Sequence, residues 1–362
     1  MRATTESAGA IWFLDHAPIL GGAERFALKI ASAAAGGRPP LAAVIVCPPG
    51  SELAARAIAS GIEVRPFEFP SVAPPSPRIP GAALALRRLL ASAAPDTVIV
   101  ANTARAQALL SASRARHRSG LRLVDLAHEQ ETAARRSARF ALRHSRALVA
   151  IGSNAQRAYQ LAIPGARVGR INNALDDREF EAAASAPHRR SDHAPAAVPA
   201  LAVLARMIPE KGLAEVVAEA AANAAYWSTL TVAAPTEDPA YEAFVRAEIQ
   251  RLGLAKRIHL AGEVVDVHSV LNSADVLVIP SVGGEGQPTA ALEALARGLA
   301  VLLREPIASA DYAGLPVGTY CDAGDFGRAL AALPREPAPL AELRKRFDTA
   351  QALDGLLAAG LA

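Results

Sequence analysis

The chain has 362 residues, 51% apolar and 20% charged, with a net charge of +3. At about 150 residues per domain this is room for two domains, and the balance excludes a disordered or fibrous chain. Cys47 and Cys321 lie far apart, without a disulfide framework or metal-ligand spacing, which fits a reducing compartment. No apolar run reaches the length of a membrane span, and MRATTESAGA lacks the apolar core of a secretory signal, so the expected location is the cytoplasm.

Ile11–Leu14 reads as the first strand, Asp15–Gly22 as a turn and Ala23–Ala35 as a helix. The alternation continues with strand Ala42–Cys47, helix Ser51–Ser60, strand Glu63–Phe67, a Pro-rich connection and helix Ala82–Ala93. Then come strand Thr97–Ala101, helix Ala104–Arg116, strand Leu121–Ala127, a basic helix at Thr132–Arg146, strand Ala147–Ile151, helix Ala155–Leu161 and strand Arg167–Ile171. Ala182–Ala200 has no periodicity and reads as a linker. The pattern restarts with strand Leu201–Leu204, helix Leu213–Ala224, strand Thr229–Ala233, helix Tyr241–Gly253, strand Ile258–Leu260, helix Val267–Ser273 and strand Val276–Ile279. A helix opening at Pro288, strand Val301–Leu303, helix Asp325–Leu333 and one long helix at Leu340–Leu357 complete it. Strands alternating with helices predict an α/β protein of two doubly wound parallel sheets. The expected divisions are residues 1–181, a linker at 182–200, a second domain at 201–340 and a terminal helix at 341–362.

Charge is unevenly divided. Residues 1–200 carry 25 Lys and Arg against 15 Asp and Glu, while the remainder carries 13 against 20. Ten arginines fall between Arg105 and Arg146. This suits an anionic partner such as a phospholipid surface, or equally a solvated Arg-rich helix face. Aromatic residues make up only 4% and do not interleave with the arginines as base-stacking platforms would, so nucleic acid is not the expected partner.

Four stretches could carry chemistry. Gly21 and Gly22, in GGAE, join a strand end to a helix start, where open α/β sheets bind ligands, though they also suit a plain tight turn. They do not form the GxGxxG of a dinucleotide enzyme. In LARMIPEKGL, Arg206 follows the second domain's first strand and Lys211 precedes its first helix, two cations that suit a diphosphate. His128 stands at a strand's carboxyl end, which fits a site residue and a structural one about equally. In SVGGEGQPTAALEALARGLAV, a Gly-rich turn leads into a helix whose N-terminus can hold phosphate. Glu285 precedes that helix and Glu293 lies inside it, about 7–8 Å further along the axis. That spacing suits a ligand with a sugar, phosphates and a ribose in line; by itself it equally fits two surface charges.

Together GGAERFALKIA, ARMIPEKGL, ADVLVIPS and EGQPTAALEALARGLAV resemble, in order and position, the retaining GT-B glycosyltransferases of family 4. Glu285 and Glu293 match that family's E-x7-E motif, and Ile171–Asp176 (INNALD) is similar to its I-P-N-G-V-D segment. The resemblance implies two Rossmann-like domains facing across a cleft, with a C-terminal helix packing back towards the first. It implies transfer of a sugar from a nucleotide-diphosphate sugar to a hydroxyl acceptor, with no cofactor or metal; the basic first half points to a glycan or lipid-linked saccharide as that acceptor. Arg206 and Lys211 then match the pair holding the diphosphate. Glu285 matches the residue contacting the transferred sugar, near the N–H groups of Gly286 and Gln287. Glu293 matches the ribose ligand, Thr289 could add a hydroxyl to the phosphates, Gly21 and Gly22 match the loop approaching donor and acceptor, and His128 is similar to the histidine beside the reacting sugar. The chain departs from the pattern at Asn172 and Ala174, and in Arg304–Pro316 (REPIASADYAGLP), which replaces a Gly-rich turn and a glutamate. That departure supports an alternative, a non-catalytic sugar-nucleotide binder; a phosphorylase of the same fold is another.

Overall fold

The structure, a computed structural model, describes residues 9–71, 76–114, 120–128, 142, 145, 147–185, 198–283, 285–307 and 310–361. The chain forms two compact units. One is Met1–Asp176 together with Phe347–Ala362, and the other is Asp177–Arg346.

The first unit is built on a sheet of seven strands: β1 (Ala10–Leu14), β2 (Ala42–Cys47), β3 (Glu63–Pro66), β4 (Thr97–Ala101), β5 (Leu121–Ala127), β6 (Leu148–Ile151) and β7 (Val168–Ile171). Their order is β3-β2-β1-β4-β5-β6-β7, with every neighbouring pair parallel. Apolar runs such as AIWFL and TVIVA are buried throughout because helices cover both faces of the sheet. Successive residues of β1 feed opposite cores. Ile11 and Phe13 pack with Phe26, Ile30 and Leu356, whereas Trp12 and Leu14 pack with Leu86, Leu90 and Leu109.

The second unit holds β8 (Leu201–Leu204), β9 (Leu230–Ala233), β10 (Ile258–Gly262), β11 (Val276–Ile279), β12 (Ala300–Arg304) and β13 (Val317–Tyr320). These lie in the order β10-β9-β8-β11-β12-β13 and are again all parallel. Its core gathers Leu201, Val203, Val216, Trp227, Val232, Val278, Leu302 and Phe326.

Both sheets reverse their winding once, between β1 and β4 and between β8 and β11. Ligands of open α/β sheets bind outside the carboxyl ends of the strands at such reversals. The ends are in register in the first unit. Leu14 pairs with Ala101, and the next residue, Asn102, donates its N–H to the Leu14 carbonyl at 3.0 Å.

Several elements differ from the sequence reading. The long terminal helix is two, Leu340–Phe347 and Thr349–Leu361, with the Asp348 Oδ1 between them accepting the Ala350 N–H at 2.6 Å. The break coincides with the passage between units: the first helix ends as the second unit ends, while Ala352 and Leu356 of the next helix lie in the first unit's core. Pro288 is the residue before its helix rather than the first within it, and Thr289 opens the helix. Helix Asp177–Ala184 and β13 were not predicted. The predicted basic helix Thr132–Arg146 falls almost wholly outside the described residues, as does most of the 182–200 stretch. Among the described residues no helix is long and apolar enough to cross a membrane.

Candidate functional site

In the second unit, the segments leaving β8 and β11 are fastened to each other. After β8 the chain makes a single 3-10 turn at Pro209–Lys211 and then passes through Gly212, with φ +67° and ψ +28°. A Cβ at Gly212 would stand 2.0 Å from the Pro280 carbonyl oxygen, so only glycine allows the approach, and its left-handed backbone favours glycine independently. The Glu210 carbonyl accepts N–H bonds from Val282 at 3.0 Å and Gly283 at 3.1 Å. This close seating carries Lys211 to the loop after β11, where its Nζ lies 2.5 Å from Glu285 Oε1. Ser281 Oγ, buried, donates to the same oxygen at 2.6 Å. The pair is about one-fifth exposed on each side, 22% for Lys211 and 19% for Glu285, so its charges are screened less than at an open surface.

From Glu285 the chain runs through buried Gly286 and Gln287 and the extended Pro288 into helix Thr289–Ala296. The first-turn N–H groups of this helix have no acceptor within the helix, and its dipole is positive at that end. Glu293 is half-buried one turn in, and its charge acts on Arg297. Arg297 donates to His268 Nδ1 at 2.9 Å and Asn272 Oδ1 at 3.1 Å. Burial lowers the Arg297 pKa, against the opposing charges of Asp266 and Glu293.

Arg206 has a different partner. Its Nη1 lies 3.1 Å from Glu237 Oε2, with the arginine 45% exposed. The two cations read from the sequence as one pair thus lie in the same loop with separate carboxylate partners. Tyr312, from the segment that departs from the family pattern, is buried, and burial followed by the charges of Asp311 and Glu285 holds its phenol well above the usual range.

In the first unit, the reversal between β1 and β4 is also polar. Asp15 follows β1 and is fully buried; its carboxylate accepts from the Ala17 N–H at 2.9 Å and from Asn102 Nδ2 at 2.6 Å. Burial first, then the charge of Glu24, pushes the Asp15 pKa up to about 7. Gly21 caps helix Gly22–Gly36, and Glu24 reaches back to accept the Gly21 N–H at 2.9 Å. His128 Nε2 lies 2.9 Å from Asn102 Oδ1, and its ring meets Phe26 edge-on with centroids 5.6 Å apart. His16 Nδ1 lies 2.8 Å from Thr103 Oγ1. Burial lowers both histidines to about 4, with the charge of Arg105 adding to the effect at His16.

The structure therefore brings together Lys211 and Glu285, sets Gly286, Gln287, Thr289 and Glu293 on one loop and helix, and groups Gly21, Gly22 and His128 around the start of the first helix. Sequence reasoning did not single out Asp15, Asn102, Ser281, Gly212 or Tyr312. A signal existed for two of these: Asp15 and Asn102 are each the first polar residue after an apolar run, Ala10–Leu14 and Val98–Ala101, on the two strands that flank the reversal.

Two family models match the chain, Glycosyltransferase Family 4 over residues 20–179 and Glycosyl transferases group 1 over residues 198–333. No curated protein matches it. Among solved structures, Anabaena HepE in complex with UDP superimposes with a TM-score of 0.73 at 18% identity, covering 97% of this chain and 99% of that one. The lipopolysaccharide outer core galactosyltransferase WaaB gives 0.72 at 14% identity, covering 97% and 98%. Sucrose-phosphate synthase from Thermosynechococcus elongatus gives 0.63 at 15% identity, covering 97% and 96%. At these identities the likeness is one of fold.

Proposed function

Because the chain belongs to the GT-B glycosyltransferases of family 4, we propose that it moves a sugar, with retention of anomeric configuration, from a nucleotide-diphosphate sugar to a hydroxyl acceptor. The observation that carries this reading is the fastening of the Lys211 turn to the Glu285 loop, with Lys211 Nζ 2.5 Å from Glu285 Oε1, at the reversal of the second sheet. HepE, whose structures include complexes with UDP and with UDP-glucose, supports a nucleotide-sugar donor.

In this mechanism the diphosphate lies at the start of helix Thr289–Ala296. There Lys211, Arg206, the backbone N–H groups of Gly286 and Gln287, and the Thr289 hydroxyl stabilise the charge that builds up as it leaves. Arg206 exchanges Glu237 for phosphate, a small cost because that ion pair is exposed. Lys211 keeps one hydrogen on Glu285 and has two others to offer a phosphate oxygen. Glu285 orients the transferred sugar and Glu293 accepts from the ribose hydroxyls. Gly21 and Gly22 approach the donor, and His128 stands beside the reacting sugar. The acceptor oxygen attacks on the face the diphosphate leaves, with its proton passing to the departing phosphate, which preserves the configuration. These cations supply the charge stabilisation without a metal ion. The acceptor is a glycan or lipid-linked saccharide of cell-surface polysaccharide synthesis, and the basic first half attends an anionic membrane face from the cytoplasm.

Two measurements test this. Incubation with UDP-, GDP-, ADP- and dTDP-sugars should give one donor that raises the unfolding free energy by about 2.7 kcal/mol at 100 times its Kd. Lys211→Ala and Arg206→Ala should each lower turnover about 10²–10³-fold. If both variants turn over at the wild-type rate, the site is misassigned.

A further inference from the structure

Asn102, fully buried at the end of β4, uses its whole side chain. Its Nδ2 donates to Asp15 Oδ2 at 2.6 Å and to the Ala23 carbonyl at 3.0 Å, and its Oδ1 lies 2.9 Å from His128 Nε2. The Ala23 carbonyl can only accept, which fixes the amide orientation: turned over, Oδ1 would face that carbonyl oxygen. Oδ1 therefore points at His128, and because Oδ1 can only accept, the ring nitrogen facing it must carry the hydrogen. The ring is uncharged at neutral pH, since burial lowers its pKa to about 4. A neutral imidazole with hydrogen on Nε2 has a bare lone pair on Nδ1.

We propose that Asn102 is a positioning residue that locks His128 as the Nε2–H tautomer, so that Nδ1 accepts a hydrogen bond from a substrate hydroxyl. The proposal rests on the reading of His128 as the residue beside the reacting sugar. Asp15, the residue after β1, anchors the amide and is itself bonded to the Ala17 N–H; Phe26 meets the ring edge-on from helix Gly22–Gly36. The charged groups along this chain of contacts are Asp15 and, next to it, Glu24. The neutral amide between them and the ring keeps a carboxylate off Nε2. A carboxylate at that position would raise the ring pKa and favour the doubly protonated form, which cannot accept.

The decisive experiment is 15N NMR of the histidine side chains in the full-length protein across pH 5.5–8. In the wild type His128 should show the Nε2–H tautomer with no protonation in that range. In Asn102→Ala it should become a mixture of tautomers, with kcat down about 10-fold to 100-fold and KM within about 2-fold. Phe26→Leu, which removes the ring contact and keeps the amide, should retain the Nε2–H tautomer. A wild-type His128 carrying hydrogen on Nδ1, or titrating near its ordinary pKa, overturns the proposal. So does an Asn102→Ala protein that is less stable but keeps the tautomer, since that is the signature of a purely structural amide. A protein that transfers no sugar yet shows the locked ring, released in Asn102→Ala, would sink the functional reading while supporting the lock.

Discussion

Gly212→Ala isolates what seats Lys211. Two costs arise at this position, and they can be separated. Alanine in a left-handed backbone is disfavoured by about 1 kcal/mol. The new methyl carbon would also stand 2.0 Å from the Pro280 carbonyl oxygen, against 3.4–4 Å for ordinary contact, so two backbone segments must part by about 1.4 Å. That movement draws the Glu210 carbonyl away from the Val282 and Gly283 N–H groups, at about 1 kcal/mol per bond, and carries Lys211 off Glu285. The expected destabilisation is roughly 3–4 kcal/mol. Gly253→Ala is the internal control: its φ is +72° but nothing lies within 4 Å of the added carbon, so it should cost only the backbone preference, about 1 kcal/mol. Urea unfolding of both variants, with sugar transfer measured alongside, gives the comparison. If Gly212→Ala unfolds within about 1 kcal/mol of Gly253→Ala and transfers sugar normally, close packing against Pro280 is not what places Lys211.

Further predictions concern buried charge. Asp15, raised from 3.8 to about 7, holds a proton that the unfolded chain releases. Its contribution is therefore fully present below about pH 4 and lost as pH rises to about 7, by at most roughly 4 kcal/mol. Asp15→Asn should flatten that part of a urea-unfolding series between pH 4.5 and 8, and an unchanged series would refute the assignment. His128 works in the opposite sense: lowered from 6.5 to about 4, its contribution is present above pH 6.5 and lost as pH falls to 4. His128→Gln should remove roughly 3 kcal/mol of acid sensitivity in that window. In the second unit, Arg304 Nη1 lies 2.5 Å from Glu219 Oε1, with Glu219 only 5% exposed. Arg304→Met strands a buried carboxylate and should cost about 3–5 kcal/mol by thermal or urea unfolding, whereas a loss below 1 kcal/mol would show the pair to be dispensable.

Much of the candidate site was legible as order along the chain. Glu285, Gly286, Gln287, Thr289 and Glu293 lie on one loop and helix, so their spacing could be read directly and the helix start to within one residue. The apolar strands were equally visible, because a parallel strand covered on both faces is a continuous apolar run. Less visible were elements that lean on context: β13 (VGTY) is a short edge strand without such a run, and the helix break at Asp348 is set by which unit's core the next residues enter.

Sequence by itself thus determined the two parallel-sheet units, the family and the residues that sit on a single local element. Only tertiary structure decided the pairings. Asp15 and Asn102 are 87 positions apart, and Lys211 and Glu285 are 74 apart. Each pair meets because a sheet reverses its winding between two strands and sets their carboxyl ends side by side. Arg206 turns to Glu237 for the same kind of reason, since the loop after β9 runs beside the loop after β8. Hydrophobic periodicity records which residues are buried, but the neighbour across a sheet follows from strand order, which no local pattern in the sequence encodes.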